Sequence, residues 1–191
     1  VTQFDFGGLY TPPSLRGTIV IPGLLGGADW AGASFHPVRK TLYIPSHTLP
    51  SLVRLKSVKR GGMIQYTTRT REPLEGPHGL PITRPPYGRI TAIDMSSGEH
   101  KWVKPTGRGP VDHPKLADMK LSDLGWPTRT FVATLPEMVL GAFYSTLCAY
   151  DLETGKKIGD FDLPLEVNGN LMSYMEGGSQ YIVLPVGGSG R

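Results

Sequence analysis

Short apolar runs alternate with polar and turn-forming residues along most of this chain. Residues 18–21, 41–44 and 89–94 are typical, because each run contains β-branched or aromatic residues and is closed by Pro or a polar turn. Runs of this length and composition predict β-strands. The 25 Gly and 18 Pro residues also favour many turns and short strands over long helices. The pattern predicts an all-β fold.

Strand pairs are predicted where two such runs flank a short turn. In chain order they are 89–94 with 99–103, 131–134 with 138–143, 147–151 with 156–158, and 171–175 with 180–186. Residues 62–67 suit an edge strand, and one helical turn is expected around 116–124. Residues 47–61 are predicted to be irregular. The five prolines from 73 to 86 predict a semi-rigid ordered loop or linker rather than a helix.

One motif occurs twice, at the same place in two of these strand–turn–strand units. It reads Ala-x-Asp-x-x-x-Gly and covers residues 92–98 and 149–155. The Asp can cap the turn, and the Gly supplies the positive φ that the turn requires. Repeated units of short strands are typical of β-propeller blades, which bury their faces only by stacking on neighbours.

The number of predicted strands sets the number of blades. About a dozen strands would make about three four-stranded blades, whereas complete propellers have about four to eight. The chain also begins with Val1 and ends in a glycine-rich sequence at 187–190 that is typical of a turn. We therefore expect residues 1–191 to be one partial propeller domain of a longer protein.

The charge distribution argues against nucleic acid as a partner. The formal net charge is only +4, and positive charge is concentrated in one stretch without acids. The basic residues of that stretch are Arg54, Lys56, Lys59, Arg60, Arg69 and Arg71. A nucleic-acid surface would need stacking aromatic residues among them, and only Tyr66 lies there. We expect a solvated loop.

The nucleophiles and histidines of the chain form no catalytic pattern. Cys148 is the single cysteine, so no internal disulfide can form, and its apolar neighbours predict a buried strand. The five histidines share no metal-ligand spacing and are expected in turns or at the surface. Ser122 lies near Asp112 and His113 in the sequence but lacks the glycines of a nucleophile elbow.

Residues 26–37 hold the most suggestive chemistry. A glycine pair precedes Asp29 and Trp30, and small residues and a predicted strand follow. Glycine lets the backbone approach a partner closely, and a flat aromatic face beside a polar group suits a planar ligand. The alternative is a tight turn in which Trp30 fills a core. These residues alone leave both interpretations open.

Five motifs, in the right order and over nearly the whole chain, resemble the quinoprotein dehydrogenases, the propellers that carry pyrroloquinoline quinone (PQQ). Ala92-x-Asp94-x-x-x-Gly98-x-x-x-Trp102 resembles their tryptophan docking motif, and residues 26–37 resemble their GG-x-N-W-x-G-x-x-x-x-P stretch. The other matches lie at 12–18, 85–94 and 180–183. Together they resemble most closely the C-terminal part of the membrane-bound glucose dehydrogenase type.

This resemblance implies an eight-bladed propeller with PQQ and a calcium ion, located in the periplasm. It implies hydride transfer from a sugar or alcohol carbon to the quinone, with an Asp as the base and calcium as a Lewis acid. Electrons would pass to ubiquinone or a cytochrome, and an upstream part could associate with the inner membrane. The family's base and calcium ligands lie in earlier blades, so the resemblance assigns neither role to a residue here.

The resemblance places two residues of this chain, Asp29 and Trp30, at cofactor-binding positions of the family. Asp29 stands where the family has an Asn that donates a hydrogen bond to the quinone oxygens. Trp30 is the matching aromatic neighbour, expected as a pocket wall or a packing residue rather than a stacking plane. A carboxylate accepts but does not donate, and PQQ itself carries carboxylates. Asp29 would therefore weaken binding unless calcium or a proton compensates its charge.

The second copy of the docking motif also departs from the family. Gly159 stands where Trp102 of the first copy predicts an aromatic residue, so we expect Ile158 or Phe161 to fill that seam. The alternative to an enzyme is a non-catalytic propeller scaffold that binds protein partners, in which the docking motifs persist because they hold blades together. Gly159 and Asp29 favour the scaffold, and the glycine pair with Trp30 favours the enzyme.

Overall fold

The structure, a computed structural model, describes residues 3–68 and 72–187. This part is built almost wholly of β-strands, with two 3₁₀ turns at Pro77–Gly79 and Ala117–Met119. The all-β prediction is confirmed, and the second 3₁₀ turn lies inside the predicted helical turn at 116–124. None of the helical segments in this part is long and apolar enough to cross a bilayer.

Fifteen strands lie within the described residues. They are β1 (Thr18–Val20), β2 (Ser34–His36), β3 (Thr41–His47), β4 (Ser51–Val53), β5 (Leu55–Arg60), β6 (Met63–Thr68), β7 (Glu72–Pro73), β8 (Gly88–Asp94), β9 (His100–Pro105), β10 (Phe131–Thr134), β11 (Met138–Phe143), β12 (Thr146–Asp151), β13 (Lys157–Asp162), β14 (Met172–Glu176) and β15 (Ser179–Val183). The four predicted strand pairs are confirmed as β8–β9, β10–β11, β12–β13 and β14–β15.

The chain divides into two compact units. The large unit comprises residues 28–47 and 85–191. It holds two four-stranded antiparallel sheets, ordered β2-β3-β8-β9 and β10-β11-β12-β13, and then the hairpin β14–β15. The second sheet is a meander of consecutive strands, as in a propeller blade. The first has the same antiparallel order, but β4 to β7 of the small unit lie in the chain between its neighbouring strands β3 and β8. Two complete blades and one two-stranded hairpin therefore stand where about three blades are expected.

The small unit comprises residues 1–27 and 48–84. Its described part holds the three-stranded sheet β1-β4-β7 and the hairpin β5–β6. The prediction that residues 47–61 are irregular is wrong, because β4 and β5 lie there. β4 is fully buried, whereas β5 shows little apolar alternation and is a strand because it pairs along its whole length with β6. The loop predicted from the prolines at 73–86 is confirmed after β7.

The middle strand β11 is buried on both faces. Val139 and Phe143 belong to a core shared with residues of the first blade, such as Ile90. Leu140 and Ala142 point to the opposite face and join a second core. Side chains alternate between the two faces of a strand, so a blade with neighbours on both sides must be apolar at nearly every position. This burial pattern is the direct mark of stacked blades.

One carbonyl joins the two blades. The Trp102 Nε1–H donates a hydrogen bond to the Leu152 carbonyl oxygen at 3.1 Å, and the Tyr43 hydroxyl donates to the same oxygen at 3.1 Å. All three residues are buried. A Cβ on Gly155 would lie 2.7 Å from Cδ2 of Trp102, so the indole covers the turn of the next blade. The docking role expected of Trp102 is confirmed.

The repeated turns have the predicted caps. The Asp94 carboxylate accepts a hydrogen bond from the Ser96 backbone N–H at 2.7 Å, and the Asp151 carboxylate accepts from the Thr154 backbone N–H at 2.8 Å. Hydrogen bonds to the charged form favour it. The Ser96 N–H is the main reason that the pKa of the Asp94 carboxyl lies below its ordinary value. For Asp151 the Thr154 hydroxyl, which donates at 2.7 Å, lowers the pKa of the carboxyl most, and the Thr154 N–H comes second. Gly98 and Gly155, which end these turns, have φ of 78° and 65°.

The second docking position is different. A Cβ on Gly159 would meet no atom within 4 Å, and Ile158 and Phe161 are both exposed. The expectation that one of them fills the seam is wrong within the described residues. β13 is the last strand of its sheet, and the following hairpin β14–β15 forms a two-stranded sheet of its own.

We predict that Trp102 and Tyr43 are energetically coupled through their shared acceptor. Trp102→Phe and Tyr43→Phe should each cost about 1–3 kcal/mol, because each removes a donor from a buried carbonyl. The double variant should cost about 1 kcal/mol more than the sum, since it leaves the Leu152 oxygen without either donor. Urea unfolding of the four proteins measures the coupling. Strictly additive losses would contradict the shared acceptor.

We also predict that Gly155→Ala destabilises the protein more than the matched variant Gly98→Ala. Both positions have positive φ, which costs an Ala about 1–2 kcal/mol. Only position 155 adds a clash with the Trp102 ring, because a Cβ at 98 meets nothing within 4 Å. Overpacking of this kind costs about 1–3 kcal/mol more. Thermal unfolding compares the two variants, and equal losses would show that the indole gives way freely.

Candidate functional site

One edge of the first blade gathers the candidate site. Neighbouring strands of the blade are antiparallel, so the loop before β2, the end of β3 and the start of β8 lie at the same edge. The loop before β2 carries Asp29 and Trp30. His47 is the last residue of β3, and Arg89 is the second residue of β8. We call this place the Asp29 edge.

In the loop at this edge an exposed residue, Trp30, is followed directly by a buried one, Ala31. Trp30 is 86% exposed, whereas Ala31 is buried in the second core. The Gly32 backbone N–H donates to the Asp29 carbonyl oxygen at 2.8 Å and closes the turn. The interpretation in which Trp30 fills a core of this chain is therefore wrong. An exposed indole beside a half-buried carboxylate is what a flat ligand would contact.

His47 is an unexpected member of the site. It is only 3% exposed, and its Nε2 is buried without a hydrogen-bond partner among the described residues. Burial lowers the pKa of the imidazole. The Asp29 charge acts in the opposite direction, and the charges of Arg129 and Arg89 lower the pKa further. The charges of two guanidinium groups and one carboxylate therefore act on the same buried ring, that of His47.

Sequence reasoning missed His47 because it treated all five histidines as turn or surface residues. A signal was present in the alternation of β3. Its burial alternates strictly along Thr41–His47, with the first and last residues on the buried face. A period-two count would have placed His47 with Tyr43 on that face.

The residues at the Asp29 edge fit an anionic planar cofactor. Arg129 is exposed and Arg89 is half-buried, and the charges of both act on His47 against that of Asp29. Guanidinium groups suit the carboxylates of such a ligand. The exposed Trp30 ring offers a flat wall. The residues of the Asp29 edge do not by themselves form a calcium site, because no three His, Cys, Asp or Glu residues come together as metal ligands in the described ranges. Asp29 could contribute one carboxylate to such a site.

A cavity of about 400 Å³ adjoins this loop. It is lined by the residues after Trp30, by β10 and by the start of β14, from Ala31, Ser34, Thr134, Asn170 and Ser173 among others. Ser34 and Thr134 link the first strands of the two blades, because the Thr134 Oγ1 lies 2.6 Å from the Ser34 Oγ. Small side chains leave room here for a ligand that contacts the loop.

A larger cavity, of about 520 Å³, lies elsewhere in the large unit and is lined in part by Trp126, Cys148, Tyr150, Lys157 and Asp160. Cys148 is buried on β12, as predicted. Burial raises the pKa of the Cys148 thiol and of the Tyr150 phenol, so both stay protonated near neutral pH. A protonated thiol is a poor nucleophile. This cavity is less suited to chemistry than the Asp29 edge.

Comparison with known proteins gives one consistent result. The family model described as PQQ glucose/ethanol/alcohol dehydrogenase, β-propeller domain, matches residues 1–182. The quinoprotein glucose dehydrogenase of Escherichia coli (strain K12) is 30% identical over 214 aligned positions, covering 98% of this chain and 27% of that protein. The quinate/shikimate dehydrogenase (quinone) of Acinetobacter baylyi is 29% identical, covering 96% of this chain and 26% of that protein.

A solved structure shows the same fold. A europium-containing methanol dehydrogenase superposes with a TM-score of 0.56 at 15% identity, covering 95% of this chain and 28% of that chain. At this identity the match supports the propeller fold alone. The chain thus spans about a quarter of the length of these relatives.

We predict opposite shifts of the His47 pKa in two variants at the Asp29 edge. Asp29→Asn removes the negative charge and should lower the pKa of His47 further. Arg129→Gln removes a positive charge and should raise it towards the ordinary value. A pH titration of the His47 ring by NMR measures both. Shifts of the same sign, or no shift in either variant, would show that these side chains do not act on the ring.

Proposed function

This chain belongs to the glucose/ethanol/alcohol dehydrogenase β-propeller family, and we propose that its protein oxidises a sugar or alcohol hydroxyl with PQQ as cofactor. Relatives named quinoprotein glucose dehydrogenase and quinate/shikimate dehydrogenase (quinone) support an oxidoreductase that uses a quinone. The observation that carries the proposal is the Asp29 edge, where a Trp that the fold leaves 86% exposed stands next to Asp29.

The proposed roles follow from the chemistry of each side chain. Trp30 forms one wall against the flat ring system. Arg129 and Arg89 supply positive charge near the cofactor carboxylates. Asp29 accepts rather than donates hydrogen bonds, so it faces a proton donor or a cation instead of a bare quinone oxygen. When bound, the quinone supplies the hydride acceptor for the substrate carbon.

The remaining parts of the proposal concern the whole protein. We propose that residues 1–191 are part of one eight-bladed propeller domain, and that calcium binds with the quinone. Ubiquinone or a cytochrome would accept the electrons. The periplasm is the proposed location, with possible association with the inner membrane through another part of the protein. These statements rest on the family and on the motifs, and the catalytic base is not assigned to any residue of this chain.

An activity assay tests the proposal. The full-length protein is reconstituted with PQQ and calcium, and dye reduction is followed with aldoses and simple alcohols. We expect substrate-dependent reduction that is lost when a chelator is added. Asp29→Asn should reduce the dye faster, because an Asn donor replaces a carboxylate that repels the cofactor. No turnover and no retained PQQ in either protein would leave the non-catalytic scaffold as the function.

Trp30→Ala separates cofactor binding from folding. We expect the affinity for PQQ, measured by fluorescence titration, to fall about ten-fold, since one aromatic contact contributes about 1–1.5 kcal/mol. The stability should change by less than about 0.5 kcal/mol, because the side chain is exposed. Val38→Ala is the matched control, at 85% exposure on the same blade, and should change neither quantity. Unchanged affinity in Trp30→Ala would remove Trp30 from the site.

A further inference from the structure

The hairpin β5–β6 of the small unit exposes apolar side chains on both of its faces. All residues of β6 are exposed, including Met63, Ile64 and Tyr66. The strands are joined by Gly61 and Gly62, whose φ values of 55° and 78° make a tight two-residue turn. Apolar residues at the end of a narrow hairpin are unusual in water, because nothing in the hairpin itself buries them.

The same hairpin is positively charged. From residue 54 to 71 the sequence contains six basic residues and no acid. Lys56 and Lys59 are exposed on β5, and neither forms an ion pair with any residue of 3–68 or 72–187. Arg69 and Arg71 lie outside the described residues. The solvated loop expected for this stretch is instead a strand pair that combines lysines with exposed apolar side chains.

The strand register decides which kind of partner fits. Lys59 pairs with Ile64, and Ser57 pairs with Tyr66, so these four residues share one face of the hairpin. Met63 lies on the opposite face, because side chains alternate along a strand. Apolar side chains on both faces of a narrow hairpin suit the boundary of a lipid bilayer, which surrounds an inserted hairpin on all sides. Tyr is favoured at that boundary, and Lys can extend its ammonium group to the lipid headgroups.

We propose that the β5–β6 hairpin inserts its glycine turn into the interface of a bilayer that contains anionic lipids. Met63 and Ile64 enter the boundary of the acyl chains, and Lys56 and Lys59 contact the anionic headgroups. Each basic side chain near such a surface strengthens binding about five-fold, and salt screens the attraction. This inference does not depend on the dehydrogenase proposal, because it concerns no cofactor or substrate.

A local probe tests the proposal in the full-length protein. An environment-sensitive fluorophore is attached to Ile64→Cys, since the native Cys148 of this chain is only 3% exposed. Vesicles of phosphatidylcholine with phosphatidylglycerol, carrying a nitroxide-labelled lipid, are then added. We expect a blue shift and quenching at position 64 with these vesicles and much less with phosphatidylcholine alone. The matched control is Phe161→Cys, which is similarly exposed and should show neither.

Charge variants complete the test. Lys56→Gln with Lys59→Gln should weaken the vesicle affinity roughly 30-fold, and added salt should have a smaller effect on this variant than on the native hairpin. Circular dichroism checks that the fold is kept. Equal quenching at 64 and 161 would overturn the proposal, as would a probe already shielded without vesicles, which means that protein covers the hairpin. A shift with soluble polyglutamate but not with vesicles would reassign the surface to an acidic protein partner.

Discussion

The Leu152 carbonyl oxygen is the point on which the large unit depends. It accepts hydrogen bonds from Trp102 and Tyr43, two residues of the first blade, and it lies in the turn between β12 and β13 of the second. A blade is a sheet with two faces to bury, and its own strands cannot cover them. The contact fixes how the two sheets stack, and the stacking buries the face of β11 that holds Val139 and Phe143. The opposite face of β11 packs into the second core, with Val167 and Leu171.

The candidate site inherits its geometry from this stacking. Ala31 is packed into the core between the second blade and the residues that precede and follow it, while Trp30 beside it is exposed. The Ser34–Thr134 contact ties the first strands of the two blades together next to the same loop. The Asp29–Trp30 turn is therefore presented by a rigid frame. Functional side chains on loops that a packed scaffold holds in place are a common arrangement in enzymes.

The electrostatics of the Asp29 edge follow from which charges the fold brings together. His47 is buried, and burial lowers the pKa of its imidazole and so favours the neutral form. Its Nε2 has no hydrogen-bond partner in the described part of the chain. Asp29, Arg89 and Arg129 come from three different segments, yet all three act on this ring. The guanidinium groups explain physically how a carboxylate at position 29 could coexist with an anionic cofactor. The same three charges act on His47, so the positive charge of the two arginines opposes the negative charge of Asp29 at this ring.

Local sequence determined the features that depend only on neighbouring residues. The strand pairs after residue 88 and the two Asp-capped turns were predicted, because a turn cap closes within a few residues and a strand shows its own alternation. The docking role of Trp102 was expected only from the family resemblance, since its contact with Leu152 joins residues 50 positions apart. Contacts between distant segments decided the rest. β5 is a strand because β6 pairs with it, Trp30 is exposed because no segment covers it, and His47 is buried because its face of β3 is covered. Gly159 meets open space for the same reason, since no residue in the described part packs against it.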